Sequence, residues 1–366
     1  MYLKKINLFQ FKNHKESTYL FCDSVNCFIG KNGAGKTNIL DGIHYLSQTK
    51  SYFNYIDSDN INFKCSSFSI QGTFVKDHLE YDVRCGYSNE KGKNLKLNDK
   101  FYKKFSDHIG KFPVIIISPT DTNLIIENSD VRRKYIDISI AQTKKDYLQN
   151  LINYNKILKQ RNYLLKQFQI NNYYDETSIE VYNNQLAKYG EILFNERKDF
   201  IRKLTPIINK YYELISNNEE DINLEYKSQL LDLSFEELIK QNKEKERYSN
   251  FTLFGPHKDD VVFNMNNFSI KKTGSQGQQK TFLIALKLAQ FEFLFHKMGF
   301  KPILLLDDIF DKLDENRISK LINFVSENFF GQVFITDTNL ERCNNLLKKS
   351  SIKYKIHKID DLNTNE

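Results

Sequence analysis

The chain has 366 residues, of which 40% are hydrophobic and 14% aromatic, enough for about two domains with full-sized cores, which excludes a peptide, a fibrous repeat or a disordered tail. Lys and Arg number 53 against 46 Asp and Glu, and the net charge of +7 permits a polyanionic partner without requiring one. The five cysteines form no CxxC pair, and no run approaches the ~18 apolar residues of a membrane span. We therefore expect a soluble, cytoplasmic protein with no zinc cage, no disulfide framework and no membrane partner.

The first part of the chain predicts strands around one helix. Short β-prone runs cover residues 3–9 and 25–29. From Lys36 onward, apolar residues recur at spacings of three and four, which is typical of one helix face. Residues 60–118 contain further alternating segments separated by loops rich in Asn, Lys and Gly, so we predict mostly sheet there. These segments are 68–74, 80–86 and 114–117.

The loop between the second strand and this helix matches the phosphate-binding pattern GxxxxGK[ST]. It consists of Gly30, Lys31, Asn32, Gly33, Ala34, Gly35, Lys36 and Thr37. Glycines allow phosphates to approach the backbone, and the helix N-terminus favours negative charge. The pattern predicts that Lys36 reaches the β- and γ-phosphates of ATP and acts in catalysis, and that Thr37 binds Mg²⁺.

Residues 146–216 predict a pair of helices. Apolar residues recur there at helical spacing, often seven apart, with a polar break at 171–178. Pro206 removes a backbone donor, so we expect a bend in the second helix. Two amphipathic helices on an ordinary lobe are favoured over a long free coiled coil, because the second seam position is often polar, as at Glu196 and Lys203.

The β-like pattern returns after a charged stretch at 241–248, at Phe251 and at 261–263. We therefore predict one discontinuous α/β domain that is interrupted by a helical lobe. The predicted division is 1–140 and 251–366 for the α/β head, with 141–250 as the lobe.

A second motif completes the nucleotide site. The apolar run 303–306, followed by Asp307 and Asp308, predicts a buried parallel strand that ends in two carboxylates. Asp307 is expected in the Mg²⁺ shell, and Asp308 is placed to orient or deprotonate the attacking water. Taken alone, the run favours an acidic turn after a buried strand, whereas its pairing with the phosphate loop favours the nucleotide site.

Residues 275–280, Ser-Gln-Gly-Gln-Gln-Lys, precede a predicted helix. They are compatible with a simple helix N-terminus, whose serine and glycine can donate to a phosphate. They also resemble the signature of ABC- and SMC-type ATPases, which contacts the γ-phosphate held by the opposite subunit. That resemblance implies roles in trans for Ser275, Gly277 and Gln278, and Asp311 and Asp314 resemble the D-loop at the dimer interface.

Several blocks together resemble the RecF family of bacterial recombination mediators, in the SMC/ABC-type superfamily. These blocks are residues 30–47, 118–137, 154–165 and 255–260, and the resemblance extends over about 1–340. The chain departs from it at Thr120, where an acidic residue is expected. It has Thr336 and Asp337 where many ABC ATPases have a switch histidine, so neither is included in the predicted site.

The resemblance implies an α/β fold: an ABC/SMC-type P-loop ATPase head, with a mixed sheet plus helices and an inserted helical hairpin lobe. It implies a weak, DNA-stimulated ATPase that uses ATP and Mg²⁺ and forms a homodimer on binding ATP. Such a dimer would bind duplex and gapped DNA near single-strand junctions. With RecR and RecO it would promote loading of RecA in repair, replication and the SOS response.

The residues that contact DNA are not identified by any motif. The basic candidates are each equally compatible with an ordinary solvated charge. They are Lys4, Lys5, Lys12, His14, Lys15, Arg132, Arg133, Lys156, Lys159 and Arg161. We expect His257 to be structural, because Asp308 already occupies the position of the general base.

Two other functions share part of these motifs. A transporter ATPase subunit has the same phosphate loop and signature, but would lack a helical hairpin at 146–216. An SMC-like or anti-phage ATPase scaffold usually carries longer coiled arms or an extra catalytic domain. Binding to gapped duplex that depends on ATP distinguishes the mediator from a transporter subunit.

Overall fold

The computed structural model of the chain describes residues 1–216, 220–309, 317, 320, 324, 329–348 and 352–359. Its described residues form two compact units. The first contains 1–121, 211–216 and the described residues from 280 onward, and the second contains 122–210 and 220–279. The second unit is thus inserted into the first along the chain. The predicted division at 140 and 250 stays a prediction.

The secondary structure alternates between strands and helices in the first unit and is mainly helical in the second. The strands are β1 (Tyr2–Phe11), β2 (His14–Leu20), β3 (Val25–Ile29), β4 (Ser67–Lys76), β5 (Leu79–Ser88), β6 (Gly92–Leu97), β7 (Lys100–Phe101), β8 (Val114–Ile117), β9 (Ile222–Lys227), β10 (Asp260–Met265), β11 (Phe268–Ser269), β12 (Ile303–Leu306), β13 (Val333–Asp337) and β14 (Tyr354–Lys358). The helices are α1 (Lys36–Gln48), α2 (Asn123–Ile126), α3 (Ser129–Ala141), α4 (Lys145–Ile170), α5 (Glu176–Ser216), α6 (Phe235–Ser249), α7 (Ile270–Thr273), α8 (Gln276–Met298) and α9 (Leu340–Lys348).

A five-stranded parallel sheet forms the centre of the first unit. Its order is β14-β3-β13-β12-β8. Every residue of β3, β8, β12 and β13 is buried, as expected for a parallel sheet covered on both faces. The strands predicted at 25–29, 114–117 and 303–306 are confirmed. Because the strands are parallel, their carboxyl ends lie along one edge, where the predicted site residues follow them.

A six-stranded antiparallel sheet, in the order β2-β1-β4-β5-β6-β7, packs with α1 in the same hydrophobic core. The β1–β4 register shifts between Leu3 and Lys5. The buried Gln332 side chain hydrogen-bonds to both the N–H and the carbonyl of Leu3, at 2.7 and 2.8 Å. This satisfies backbone groups that would be costly to leave unpaired in the interior.

The second unit is built on the helix pair α4 and α5, joined by residues 171–175. The predicted break is confirmed at 171–175, but its last part is wrong, because 176–178 already belong to α5. Helix α5 continues through Pro206, and the bend there stays a prediction. The expected β-pattern at Phe251 is wrong, because this residue lies in a loop. The charged stretch at 241–248 belongs to α6, which begins with a capping box between Ser234 and Glu237.

The described helices include none that is long and apolar enough to cross a membrane.

We expect the buried His108 to make the stability of the first unit depend on pH. Its ring is fully buried, with Nε2 2.7 Å from the Leu46 carbonyl and Nδ1 3.1 Å from the Tyr102 hydroxyl. Burial lowers the pKa of His108 to about 4. Between about 6.5 and 4 the unfolded chain takes up a proton that the folded protein excludes. As the pH is lowered through this window, the free energy of unfolding therefore falls by up to ~1.4 kcal/mol per pH unit.

We predict that His108→Gln flattens the loss of thermal stability between pH 6.5 and 4.5. The measurement is the midpoint of thermal unfolding at each pH. His78→Gln, on the exposed turn between β4 and β5, serves as the matched control and should follow the unmodified protein. Parallel pH curves for His108→Gln and the unmodified protein would show that His108 does not control this dependence.

Candidate nucleotide-binding site

The predicted phosphate loop follows β3 at the carboxyl edge of the parallel sheet and leads into α1. Gly33 and Gly35 have φ of 85° and 101°, in the left-handed region that favours glycine. A Cβ on Gly35 would meet side-chain atoms of Asn13 at 2.7 Å. Gly35 also caps α1 without a side-chain hydrogen bond, so the first N–H groups of this helix are not satisfied by a capping side chain.

Lys36 lies within this loop and is buried. Its Nζ donates to the carbonyl oxygens of Gly30 and Lys31 at 2.7 and 2.8 Å. The ammonium group is therefore held against the loop itself. Its predicted contact with the β- and γ-phosphates stays a prediction.

Side chains of the turn between β1 and β2 hydrogen-bond to the phosphate loop. No motif in the sequence predicts this contact. Asn13 Nδ2 donates to the Gly33 carbonyl at 3.2 Å, and His14 Nε2 lies 3.1 Å from the Gly35 carbonyl. His14 is fully buried, and burial lowers its pKa. Lys12 is paired with the buried Asp41 at 2.6 Å. The fully buried His14 is therefore wrong as a candidate for DNA contact, while the contact of Lys12 with DNA stays a prediction.

Asp307 lies at the centre of the site, directly after β12. Its Oδ1 accepts hydrogen bonds from the hydroxyls of Thr37, at 2.8 Å, and Thr336, at 2.9 Å. Burial raises the pKa of Asp307, the two hydroxyl hydrogen bonds oppose that rise, and the neighbouring Asp308 adds to it. The structure thus brings together the two residues predicted for Mg²⁺, Thr37 and Asp307.

These two side chains fit Mg²⁺ chemically. Mg²⁺ takes hard oxygen ligands and usually combines one or two carboxylates with waters and substrate phosphates. Among the described residues, no group of three or more His, Cys, Asp and Glu side chains could hold a metal ion. A metal ion that also binds nucleotide phosphates needs few ligands from the protein. The Thr37 hydroxyl and the Asp307 carboxylate beside the phosphate loop can supply them.

Asp308 is half-buried and has a φ of 48°. A left-handed backbone is uncommon for a residue other than glycine, although Asp tolerates it better than most. The Asp308 N–H donates to Thr336 Oγ1 at 2.9 Å, which fixes this turn. Thr336, which sequence reasoning left out of the site, therefore orients both carboxylate residues. Its only signal in the sequence is its place after the apolar run of β13.

The signature residues lie at the start of α8, in the second unit. Ser275 is exposed and forms a reciprocal pair with Gln278: the Ser275 N–H donates to Gln278 Oε1 at 2.8 Å, and the Gln278 N–H donates to Ser275 Oγ at 3.2 Å. Gly277 is half-buried in the first turn. The segment is a capped helix N-terminus, and its role in trans stays a prediction. Asp311 and Asp314 lie outside the described residues.

The segment after β8 contains a buried ion pair. Asp121, one residue beyond the position where an acid was expected, accepts the Ser118 N–H at 2.8 Å and pairs with Lys287 of α8 at 2.7 Å. The Tyr52 hydroxyl also donates to Asp121. Asp121 thus supplies a carboxylate where Thr120 departs from the family pattern.

Three arginines among the DNA candidates bind groups within the second unit, and the buried one, Arg161, is wrong as a candidate. Arg132 pairs with Asp260 at 2.7 Å, and Arg133 donates to the Asp259 carbonyl at 2.6 Å. Arg161 is buried and pairs with the equally buried Glu246 at 2.6 Å.

Among the other DNA candidates, Lys4 is paired with Glu80 at 2.6 Å, while Lys5 is half-buried and Lys15, Lys156 and Lys159 are exposed. His257 contacts the Tyr154 hydroxyl at 2.7 Å and the Thr252 carbonyl at 3.1 Å. Burial lowers the pKa of His257 to about 4. A neutral histidine held at both ring nitrogens agrees with the structural role that we expect.

Comparison with known proteins places these features in a family. The family described as the RecF/RecN/SMC N-terminal domain matches residues 2–360. The chain is 46% identical to the DNA replication and repair protein RecF of Flavobacterium johnsoniae, over 97% of this chain and 99% of that protein. It is 43% identical to RecF of Bacteroides thetaiotaomicron, over 100% and 99% of the two chains.

Solved structures show the same relationship. A structure of the recombination mediator protein RecF with ATP in the RecFOR pathway superimposes with a TM-score of 0.89 at 30% identity, over 98% of this chain and 96% of that one. An SMC head domain from Pyrococcus furiosus, with an extended coiled coil, has a TM-score of 0.57 at 16% identity and shares the fold alone.

We predict that Thr336→Val lowers ATP turnover by roughly 10- to 100-fold, because it removes the donor to Asp307 and the acceptor for the Asp308 N–H, each with a net value of ~0.5–1.5 kcal/mol. Thr336→Ser keeps the hydroxyl and should retain most of the activity. The measurement is steady-state ATPase as a function of Mg²⁺ concentration. Valine should also raise the Mg²⁺ requirement, whereas a merely structural defect would lower turnover for serine as well. Full activity in Thr336→Val would remove Thr336 from the site.

Proposed function

The chain belongs to the RecF family, and we propose that it is an ATP-dependent recombination mediator that binds DNA in repair and replication. The observation that carries this proposal is the junction of Thr37, Asp307 and Thr336 at the end of the phosphate loop. The full-length identity to RecF proteins favours a mediator over a transporter ATPase subunit, and over an SMC-like or anti-phage scaffold.

The site supports binding and hydrolysis of ATP. The backbone N–H groups of the phosphate loop and the N-terminus of α1 favour the negative charge of phosphates. When bound, Mg²⁺ neutralises part of that charge. Thr37 and Asp307 would hold the ion. Asp308 would accept the proton of the attacking water, and the Thr336 hydroxyl keeps its backbone in place.

The exposed signature supports a dimer. Ser275 and the first turn of α8 present a serine hydroxyl and helix N–H groups at the surface of the second unit. We propose that these groups contact the γ-phosphate bound by another copy of the chain. ATP would then hold two copies together, and hydrolysis would release them. Asp311 and Asp314 keep their proposed D-loop role at this interface.

The dimer would bind duplex and gapped DNA near single-strand junctions, with RecR and RecO as partners and RecA as the protein loaded. Repair, replication and the SOS response of a bacterial chromosome place this activity in the cytoplasm. The hydrolysis would be slow and stimulated by DNA, because nucleotide turnover serves to time release. These points rest on the family relationship.

Binding to gapped duplex in gel shifts, with and without Mg·ATP, tests the function. We predict tighter binding with ATP. Asp308→Asn should reduce turnover by about 10²–10⁴-fold, since it removes the general base, while preserving ATP binding and prolonging the DNA complex. If gapped duplex is bound equally with and without ATP, the mediator proposal fails. If Asp308→Asn hydrolyses ATP normally, the base is another group.

Ser275→Arg tests the dimer separately. The arginine would obstruct the second chain's nucleotide, so ATP should no longer produce a dimer in sedimentation, while ATP still binds to each monomer. Ser66→Arg adds the same charge at an exposed position in the first unit and should dimerise normally. Loss of ATP binding by the Ser275→Arg monomer would place Ser275 in the site of its own chain instead.

A further inference from the structure

One face of α4 is exposed along most of its length. Its exposed residues follow one another at alternating spacings of four and three, so they form a single row on the helix. The row consists of Ile152, Lys156, Lys159, Tyr163, Lys166 and Ile170. It extends over roughly 27 Å at 1.5 Å per residue. We call these six residues the α4 row.

The charge of the α4 row is not compensated along its helix. Between residues 147 and 170 the sequence contains no Asp or Glu. Its only arginine, Arg161, points inward to Glu246. Within the described part of the chain, the ammonium groups of Lys156, Lys159 and Lys166 have no ion-pair partner. A row of lysines without acids favours an anionic partner.

The row ends beside exposed aromatic side chains. Gln169 Oε1 accepts a hydrogen bond from Asn250 Nδ2 at 2.5 Å, which brings the end of α6 against the end of α4. The Arg247 guanidinium lies 4.4 Å from the centre of the Tyr174 ring. Tyr248 and Tyr173, the chain neighbours of these two residues, are 82% and 66% exposed.

Tyr163, within the row, is 67% exposed. Scattered apolar residues on a surface are ordinary, but Tyr163 lies between the lysines of the α4 row, and Tyr173 and Tyr248 lie on the two chain segments that meet at its end. Protein interfaces are depleted in lysine at their centres. Lysines interleaved with exposed aromatic rings instead match the surfaces that bind single strands, where phosphates meet cations and unpaired bases stack on rings.

We infer that the α4 row binds the phosphates of a single-stranded DNA segment, while Tyr163, Tyr173 and Tyr248 stack against its bases. A duplex could use the lysines but keeps its base faces within its own stack, leaving the tyrosines without a role. The inference rests on the proposed function for the kind of partner. It adds to the proposed function which surface of the protein binds DNA and which form of DNA, a single strand, binds there.

Fluorescence anisotropy with the full-length protein tests whether this surface binds DNA. One probe is a labelled oligothymidine of about 20 nucleotides, which is long enough to cover one or more single-strand sites. The other is a blunt duplex of equal length. Replacing Lys156, Lys159 and Lys166 together by Gln should weaken oligothymidine binding at least tenfold. It should also reduce the slope of log affinity against log salt by about 2, at ~0.7 per phosphate contact.

The tyrosine component requires its own variants. Tyr163→Ala, and Tyr173→Ala with Tyr248→Ala, should weaken oligothymidine binding several-fold while leaving the salt slope and duplex affinity unchanged. Tyr163→Phe keeps the ring and should bind like the unmodified protein. All positions are exposed, and circular dichroism verifies folding of each variant.

A matched control removes the same charge elsewhere. Lys91, Lys100 and Lys103 are exposed in the first unit, and replacing all three by Gln should leave the salt slope unchanged. If the α4 lysine variant behaves like this control, the surface is wrong. If the lysine variant weakens duplex binding equally and the tyrosine variants change nothing, the occupant is a duplex and the inference is overturned.

The proposed function can fail separately from the inference. A protein that binds gapped duplex with ATP, but whose α4 variants bind oligothymidine normally, contradicts the inference alone. A protein that binds neither the oligothymidine nor gapped duplex contradicts both.

Discussion

A single carboxylate oxygen, Oδ1 of Asp307, sets the geometry of the nucleotide site. It accepts one hydroxyl from α1, through Thr37, and another from β13, through Thr336. In the sheet order, β13 lies between β3 and β12, so a residue of β13 must stand between the phosphate loop and the strand that bears the acids. Burial disfavours the charge on Asp307, and the two hydroxyl donors offset part of that cost. The site therefore depends on the order of the strands as much as on its motifs.

The sequence predicted what depends on local pattern and missed what depends on pairing between distant segments. The glycine-rich loop, the buried run at 303–306 and the helical spacing at 146–216 are local signals, and each is present in the structure. Thr336 contacts the site because β13 lies beside it in the sheet, although Thr336 is 299 residues from Thr37 along the chain. His14 contacts the site because the β1–β2 turn lies beside the phosphate loop, although His14 is 21 residues from Gly35. Neither contact produces a regular residue spacing that can be recognised in the sequence. Two of the candidate DNA residues, His14 and Arg161, are buried in the structure, because a sequence shows charges but not their partners.

Within α4, arginine and lysine serve different purposes. Arg161 donates from its three nitrogens to three different side chains: Asn183 of α5, Glu246 of α6 and Thr252 of the following loop. A planar guanidinium with five donors suits such a buried junction. Breaking a buried pair of this kind costs ~3–5 kcal/mol, because one charge is left uncompensated. The exposed lysines on the other face are compact point charges on flexible stems, which suit mobile phosphates. One helix thus holds the lobe together on one side and presents positive charge on the other.

The charges around the phosphate loop are relevant to the dimer that we propose. The β1–β2 turn brings Lys12 and His14 close to the loop, but Asp41 neutralises Lys12 and burial disfavours protonation of His14. These two groups shape the loop without adding positive charge to it. The loop's own lysine, Lys36, is held by backbone carbonyls that compete with any phosphate for its protons. Helix N–H groups and one metal ion compensate only part of a triphosphate's charge. The dimer that we propose would bring further donors to the γ-phosphate, because the exposed N-terminus of α8 presents a serine hydroxyl and helix N–H groups.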